Sequence, residues 1–315
     1  MTPAALAVDA GQTTIRAALV TDGRGPRTAV APGVVRVGSA AGPEEVTERL
    51  LAAVTELGPL PDPAPAAAIG LSGFEAMGRD DIGWVADTFR QTVGVESLAI
   101  ASDGLTALLG AIGRRDGVVV AAGTGTACLA RRDGRFAKVD GWGSLLSDAG
   151  SGFAIGRAGL DAALREYDGR GGSERLMDAA RERFGDMDGL PEQIYSAPVP
   201  TRAVASFAED VGQAAKAGDE HARVILTDAA RELAISAWAA ANRLFEPGEP
   251  VLVSYAGSVF QAGELVAGPF RRELEGRLPE ASVEEPAGDP LDGALLLVEL
   301  APDLHEWPGI LRRWP

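Results

Sequence analysis

The sequence predicts an α/β protein of two domains, each opening on a strand–turn–strand hairpin. Three observations predict it. Short apolar runs alternate with helical patterns along the chain, which implies mixed α/β layers rather than a sandwich or a bundle. The length, 315 residues, is more than one small core organises. The opening pattern also recurs: at an offset of 112 residues Val8, Ala10, Gly11, Thr14 and Ala18 return as Val120, Ala122, Gly123, Thr126 and Ala130, an internal duplication.

The elements follow in order. Ala5 to Val8 is an apolar strand, Asp9 to Thr13 a turn, and Thr14 to Val20 a second strand closed by Asp22-Gly23. Residues 28–42 add a third strand and a loop. Gly42-Pro43-Glu44-Glu45 opens a helix through Leu57, with Val46, Leu50, Leu51 and Val54 on one face, and Pro59 to Pro65 breaks it. A strand over Ala66–Leu71, a helix around Trp84–Thr92, a strand over Ser97–Ser102 and a helix from Gly104 to Ile112 complete the first half. The second half repeats the hairpin: Val118–Ala122, the turn Gly123-Thr124-Gly125-Thr126, Ala127–Ala130 and Asp133-Gly134. A helix follows Ser147–Gly152 and runs to about Tyr167. Residues 174–184 and 201–215 read as helices, and His221 to Phe245 as a long Ala-rich helix ended by Pro247-Gly248. A buried strand Val251–Tyr255 enters Ala256-Gly257-Ser258, before a helix near 263–276, a strand near 281–284 and a helix over Asp292–Glu299. The expected domains are residues 1–113 and 114–290, with a final helix near 290–301 packing back on the first.

Composition excludes several classes. Apolar residues make up 46% of the chain and charged residues 23%, enough to bury cores, so a disordered chain is excluded. Lys and Arg number 29 against 45 Asp and Glu, a net charge of −16 that repels phosphate backbones and anionic lipid heads. No nucleic acid partner is expected. No stretch reaches the roughly 18 apolar residues of a membrane helix, and the N-terminus lacks the basic segment and apolar run of a signal peptide. The expectation is a cytoplasmic protein without a membrane partner. The one cysteine, Cys128, reads as buried and inert, and excludes an intrachain disulfide, a Cys-cluster zinc site or a self-contained iron–sulfur site. His221 and His305 have no ligand spacing around them.

The residues able to carry chemistry gather at turns. Two Gly/Thr hairpin turns in register across a duplication point to a pair of phosphate clamps: glycine lets the backbone approach an anion, its amides point at it, and Thr13, Thr14, Thr124 and Thr126 add hydroxyl donors. Neither turn has the P-loop pattern with its Lys. Asp9, beside the first turn, suits a magnesium ion held through water, or an ordinary Asx turn. Asp103 follows the strand Ser97–Ser102, where ligands gather in open α/β sheets. It reads equally as a base for an attacking hydroxyl or as a helix N-cap. Asp148, just before a helix, can orient sugar hydroxyls or cap that helix. Trp142, between two glycines, stacks on a ligand or fills a core, and an isolated Trp more often fills a core.

These segments together resemble the N-acetylglucosamine kinase family of the actin-like ATPase and sugar kinase superfamily, over nearly the whole chain. The most specific part runs from Gly141 to Arg157, with Gly141-Trp142-Gly143, Ser147-Asp148-Ala149-Gly150-Ser151-Gly152 and Ile155-Gly156-Arg157 similar to the family's Gly-Trp-Gly, Gly-Asp-Glu-Gly-Ser-Gly and Ile-Gly-Arg. Asp9 to Thr14 resembles the first phosphate motif, Gly123 to Thr126 the second, and Val251 to Ser258 the adenosine motif. The resemblance implies two ribonuclease-H-like domains around a central cleft, ATP and Mg2+ as cofactors, a sugar whose 6-hydroxyl attacks the terminal phosphate, and a homodimer. It implies Asp103 as the base, Asp148 and Gly143 at the sugar, Gly11, Gln12, Thr13, Thr14 and Gly123 to Thr126 at the phosphates, and Gly257 and Ser258 near the nucleoside.

The chain departs from the pattern at Ser147 and Ala149, where the family has Gly and Glu. The family's sugar-contacting Asn is also absent: the chain's one Asn is Asn242, and the corresponding stretch offers Arg36 and Ser39. N-acetylglucosamine is the first expectation; N-acetylmuramic acid, whose carboxylate suits Arg36, glucosamine and other hexoses are the alternatives. An activator-type ATPase would need a cluster bridging two subunits with two Cys from each, which one Cys does not supply. A non-catalytic sugar sensor is the remaining reading.

Overall fold

The structure, a computed structural model, describes residues 4–22, 25–34, 42–62, 64–307 and 309–314. The chain divides into two compact units, Met1–Arg115 with Pro286–Pro315, and Asp116–Glu285. In chain order the first unit holds β1 (Ala5–Ala10), β2 (Thr14–Val20), β3 (Arg27–Pro32), α1 (Pro43–Thr55), β4 (Ala66–Leu71), α2 (Arg79–Val93), β5 (Leu98–Ser102) and α3 (Asp103–Ile112). The second holds β6 (Gly117–Ala122), β7 (Thr126–Arg132), β8 (Arg135–Val139), α4 (Gly152–Tyr167), α5 (Glu174–Phe184), α6 (Leu190–Tyr195), α7 (Pro200–Ser206), α8 (Ala208–Lys216), α9 (Glu220–Ala241), β9 (Val251–Ala256), α10 (Glu264–Arg277) and β10 (Ala281–Val283). The chain then returns to the first unit with α11 (Pro290–Leu300) and β11 (Leu311–Trp314). Among the described residues no helix is long and apolar enough to cross a membrane.

Each unit is built on one mixed sheet. The first has the order β11-β5-β4-β1-β2-β3, with β1 antiparallel to β2 but parallel to β4, and β4 parallel to β5. The second has the order β10-β9-β6-β7-β8, with β6 antiparallel to β7 and parallel to β9. The duplication is exact in its strands: β1 and β2 coincide end for end with β6 and β7 at 112 residues. The turns differ by one residue. Ala10 pairs with Ile15 in the first hairpin, whereas Ala122 pairs with Thr126 in the second.

Burial explains the strands. Leu6, Ala7 and Val8 are wholly buried, as a central strand covered on both faces requires. The first core gathers Leu50, Ile69, Ile82, Phe89 and Ile100, and the second Leu226, Leu233, Val253, Phe207 and Phe270. Helix α1 opens with Pro43 in its first turn beside Glu44 and Glu45, and α11 with a capping box between Asp289 and Asp292.

The differences from expectation have local causes. Helix α2 begins at Arg79 rather than near Trp84, because its first turn is acidic and polar and carries no apolar period. The segment 201–215 is two helices, broken at Phe207, whose ring is wholly buried in the second core. Helix α9 stops at Ala241, before the expected Phe245. Strand β11 reads Leu-Arg-Arg-Trp, a sequence with no strand period to find, and is formed by pairing with β5 at the sheet edge.

Glycine sets the approach of α11 to α3. A Cβ on Gly293 would lie 1.8 Å from the Thr106 carbonyl oxygen, and one on Gly110 2.0 Å from that of Asp289. Both obstacles are backbone, which cannot swing aside. Gly293→Ala is therefore expected to destabilise by about 1–3 kcal/mol through overpacking, against a helix-propensity gain of at most ~1 kcal/mol. Gly276→Ala, with open space around its Cβ in α10, is expected to be neutral or stabilising. Thermal unfolding of the two variants beside the parent checks both signs.

Candidate functional site

In the first unit, Asp9 stands on β1 directly opposite Arg16 on β2, and the pairing register brings their side chains to one face. The Arg16 guanidinium donates to the Asp9 carboxylate at 2.7 Å and to Asp289, the N-cap of α11, at 2.6 Å. Burial raises the pKa of Asp9 above the ordinary aspartate value, with Arg16 opposing it and the charges of Asp103 and Asp289 adding to it. For Asp289 burial also raises, but the amides of Asp292 and Leu291 and the Arg16 charge outweigh it and hold the carboxyl below its ordinary value. Asp103 is half-buried at the first position of α3, where β5 ends. The N-cap position is Ser102, which puts Asp103 at the first helical residue.

The first turn has its carbonyls tied inward. The amide of Gly33 donates to Thr13 O at 3.0 Å and that of Val34 to Gly11 O at 3.1 Å. Gly33 must be glycine here, since a Cβ would fall 2.4 Å from the Thr13 carbonyl carbon. The second turn is tied in the same sense by a different partner: the first amides of α4, Gly152 and Phe153, donate to Gly123 O at 2.7 Å and Thr124 O at 3.1 Å. With the carbonyls occupied, the amides of Gln12 and Thr13 and of Thr124 and Gly125 make no hydrogen bond among the described residues.

Three more sequence-predicted groups converge on the second turn. A Cβ on Gly125 would meet the Asp148 carboxylate at 2.8 Å, and one on Gly257, at φ +98, would meet Ala122 O at 2.3 Å. Ser258 follows Gly257 and is exposed. Asp148 does not cap α4, a task taken by Ser151. It is buried at φ +59, accepts from the Gly143 amide at 3.2 Å, and has its pKa raised by burial and by the charge of Asp140, against the amides of Gly143 and Thr126 and the charge of Lys138. Trp142 does not fill a core, the commoner of its two expected roles: it is 72% exposed, with Leu145 and Leu146 exposed beside it. The Lys138 ammonium lies 5.7 Å from the Trp142 ring centroid. Cys128 is wholly buried on β7, and burial pushes its thiol pKa up, as expected of an inert thiol. Arg36 and Ser39 lie outside the described residues.

Sequence reasoning missed Arg16, Asp289 and Asp140. Arg16 was findable from register, seven residues along a hairpin from Asp9. Asp140 was signalled only by the Asp-Gly pair it forms with Gly141.

The fit to ATP and magnesium is tested by donors. Unengaged turn amides suit phosphate oxygens, and the Thr126 hydroxyl is buried with no hydrogen-bond partner among the described residues, a costly state for a group without a role. Among the described residues no group of three or more metal-binding side chains exists, so Asp9 fits a magnesium ion that keeps waters and shares phosphates, not an all-protein cage. Thr126→Val is expected to leave the ligand-free protein as stable as the parent or up to about 1 kcal/mol more stable, because it deletes an unpaired hydroxyl at constant shape. Thermal unfolding without nucleotide measures it.

Residues 6–297 match the BadF/BadG/BcrA/BcrD ATPase family. The chain is 29% identical over 253 residues to an N-acetylmuramic acid/N-acetylglucosamine kinase of Clostridium acetobutylicum, covering 79% of this chain and 82% of that protein. It is 26% identical over 238 residues to an N-acetyl-D-glucosamine kinase of Dictyostelium discoideum, covering 73% of each. A crystal structure from Chromobacterium violaceum, provisionally named an N-acetylglucosamine kinase, superposes with a TM-score of 0.72 at 28% identity over 94% of this chain and 99% of that one. The fold is the actin-like ATPase fold of sugar kinases, and the chain belongs to the BadF/BadG/BcrA/BcrD ATPase family.

Proposed function

We propose that the chain is an ATP-dependent kinase transferring the terminal phosphate to the 6-hydroxyl of an amino sugar, N-acetylglucosamine first, and that it works as a homodimer as the family resemblance implies. The observation that carries this reading is the convergence in the second unit of a turn with unengaged amides, a buried carboxylate and the Gly257-Ser258 strand end on one spot. The relatives' names support an amino sugar as substrate. N-acetylmuramic acid is the second choice because the Clostridium relative carries both sugars in its name. A cluster-bearing activator is disfavoured, since the one thiol is buried on a strand.

In this reading Asp103 aligns the sugar hydroxyl and takes its proton at the carboxylate. Magnesium, when bound beside Asp9, would neutralise charge on the phosphates. The amides of Gln12, Thr13, Thr124 and Gly125 and the Thr126 hydroxyl hold phosphate oxygens, and Asp148 and Gly143 orient the sugar. Gly257 and Ser258 lie by the nucleoside.

Asp103→Asn is expected to lower kcat on the order of 100-fold or more, the scale of a lost general base, with nucleotide affinity near the parent's. A coupled ADP-release assay over N-acetylglucosamine, N-acetylmuramic acid, glucosamine, N-acetylmannosamine and glucose reads both substrate and rate. Phosphorylation of none of them would overturn the assignment.

The raised pKa of Asp148 sets a pH dependence. Its ionised form accepts sugar hydroxyls, so kcat/KM for the sugar should fall on acidification from a pH above the ordinary aspartate value of 3.8. A folded pKa above the unfolded one favours the folded state at low pH and loses that contribution as pH rises through the folded value, so this group does not unfold the protein over the same limb. In Asp148→Asn the limb should vanish from a much lower kcat/KM, as initial-rate pH profiles will show.

A further inference from the structure

Asp140, which follows β8, has a carboxylate that accepts four hydrogen bonds. One carboxylate oxygen accepts from the Gly141 amide at 2.7 Å, the Asp148 amide at 2.9 Å and the Ser147 hydroxyl, and the other accepts from the Ala149 amide at 3.0 Å. These donors come from both ends of the loop 140–149, so a single carboxylate closes it. A local Asx turn would need only the first bond; the other three reach seven, eight and nine residues along the chain.

The closure has a cost. Asp140 and Asp148 both have left-handed backbone, at φ +62 and +59, a conformation unfavourable for side chains with a Cβ. It also sets two carboxylates in each other's field, with Lys138 nearby donating to Gly141 O at 3.2 Å. Charge-assisted bonds from three amides and a hydroxyl offset those costs. They also fix the direction in which the Asp148 side chain leaves the backbone, onto Gly125 and the Gly143 amide.

We propose that Asp140 is a positioning residue, acting through Asp148: it holds the sugar-facing carboxylate in its working orientation while the loop carries Trp142, Leu145 and Leu146 exposed at its tip. This rests on the sugar role of Asp148 stated above.

The test compares Asp140→Asn, whose amide nitrogen cannot accept the N–H donors, with Ser147→Ala, which deletes one bond only, and with Asp148→Asn and the Asp140/Asp148 double variant. Hydrogen–deuterium exchange on the full chain should show faster exchange across 141–149 in Asp140→Asn and little change in β1–β5. KM for the sugar should rise roughly tenfold or more with KM for ATP held, and less in Ser147→Ala. The double variant should be no worse than Asp148→Asn alone, because the two residues act as one. Unchanged exchange, or multiplicative losses in the double variant, would overturn the proposal; a general stability role would give multiplicative losses and move both KM values. If the parent phosphorylates no sugar, the kinase reading falls while exchange at 141–149 still decides whether the clamp exists.

Discussion

The carbonyl oxygens of Gly11 and Thr13, and those of Gly123 and Thr124, are bound by amides of their own units, and each hairpin turn is thereby fixed with the N–H groups of Gln12, Thr13, Thr124 and Gly125 unspent among the described residues. That constraint organises its surroundings. It requires Gly33 to lie against the first turn and α4 to begin against the second, and each arrangement leaves no room for a Cβ at the point of contact. The two units reach the same end by different means, a loop after β3 in one and a helix start in the other. What the duplication has kept is therefore the orientation of the peptide groups, more than the residues that impose it.

The charge balance gives that orientation its importance. A chain with sixteen more acidic than basic side chains cannot gather polyphosphate by long-range attraction. In the proposed function neutral donors held rigidly would avoid the problem: amides need no counterion and lose little entropy on binding, since the fold has already ordered them. Arg16, on the strand that leaves the first turn, is committed to Asp9 and Asp289.

Much of this was legible in the sequence, and the reasons differ by residue. The strands of both hairpins, Asp103 at a strand end and the turn glycines are encoded locally, by apolar runs and by residues that tolerate unusual backbone. Helix α6 and strand β11 were not legible, because the first is only six residues long, too short to show a helical period, and the second exists only through its pairing with β5. Asp140 was signalled only by its Asp-Gly pair for a related reason: its partners lie up to nine residues away, and only the closed loop brings them together. For Trp142 the commoner of its two readings, a core ring, is not the one found, because the glycines on either side serve a loop that carries it outward. Of the two readings of Asp148, the cap is taken by Ser151, whose hydroxyl accepts from the first-turn amide of Ala154.

The order of the two units along the chain has a bearing on biosynthesis. The second is one continuous stretch, Asp116–Glu285, whereas the first is completed by α11 and by the edge strand β11 after it. As the polypeptide emerges from the ribosome, the inserted stretch can reach its native state while the earlier one still lacks a helix against β1 and a strand against β5. For that interval apolar surface on β1 and α3 stays uncovered, and translation rate and chaperone capture would act on the N-terminal part first.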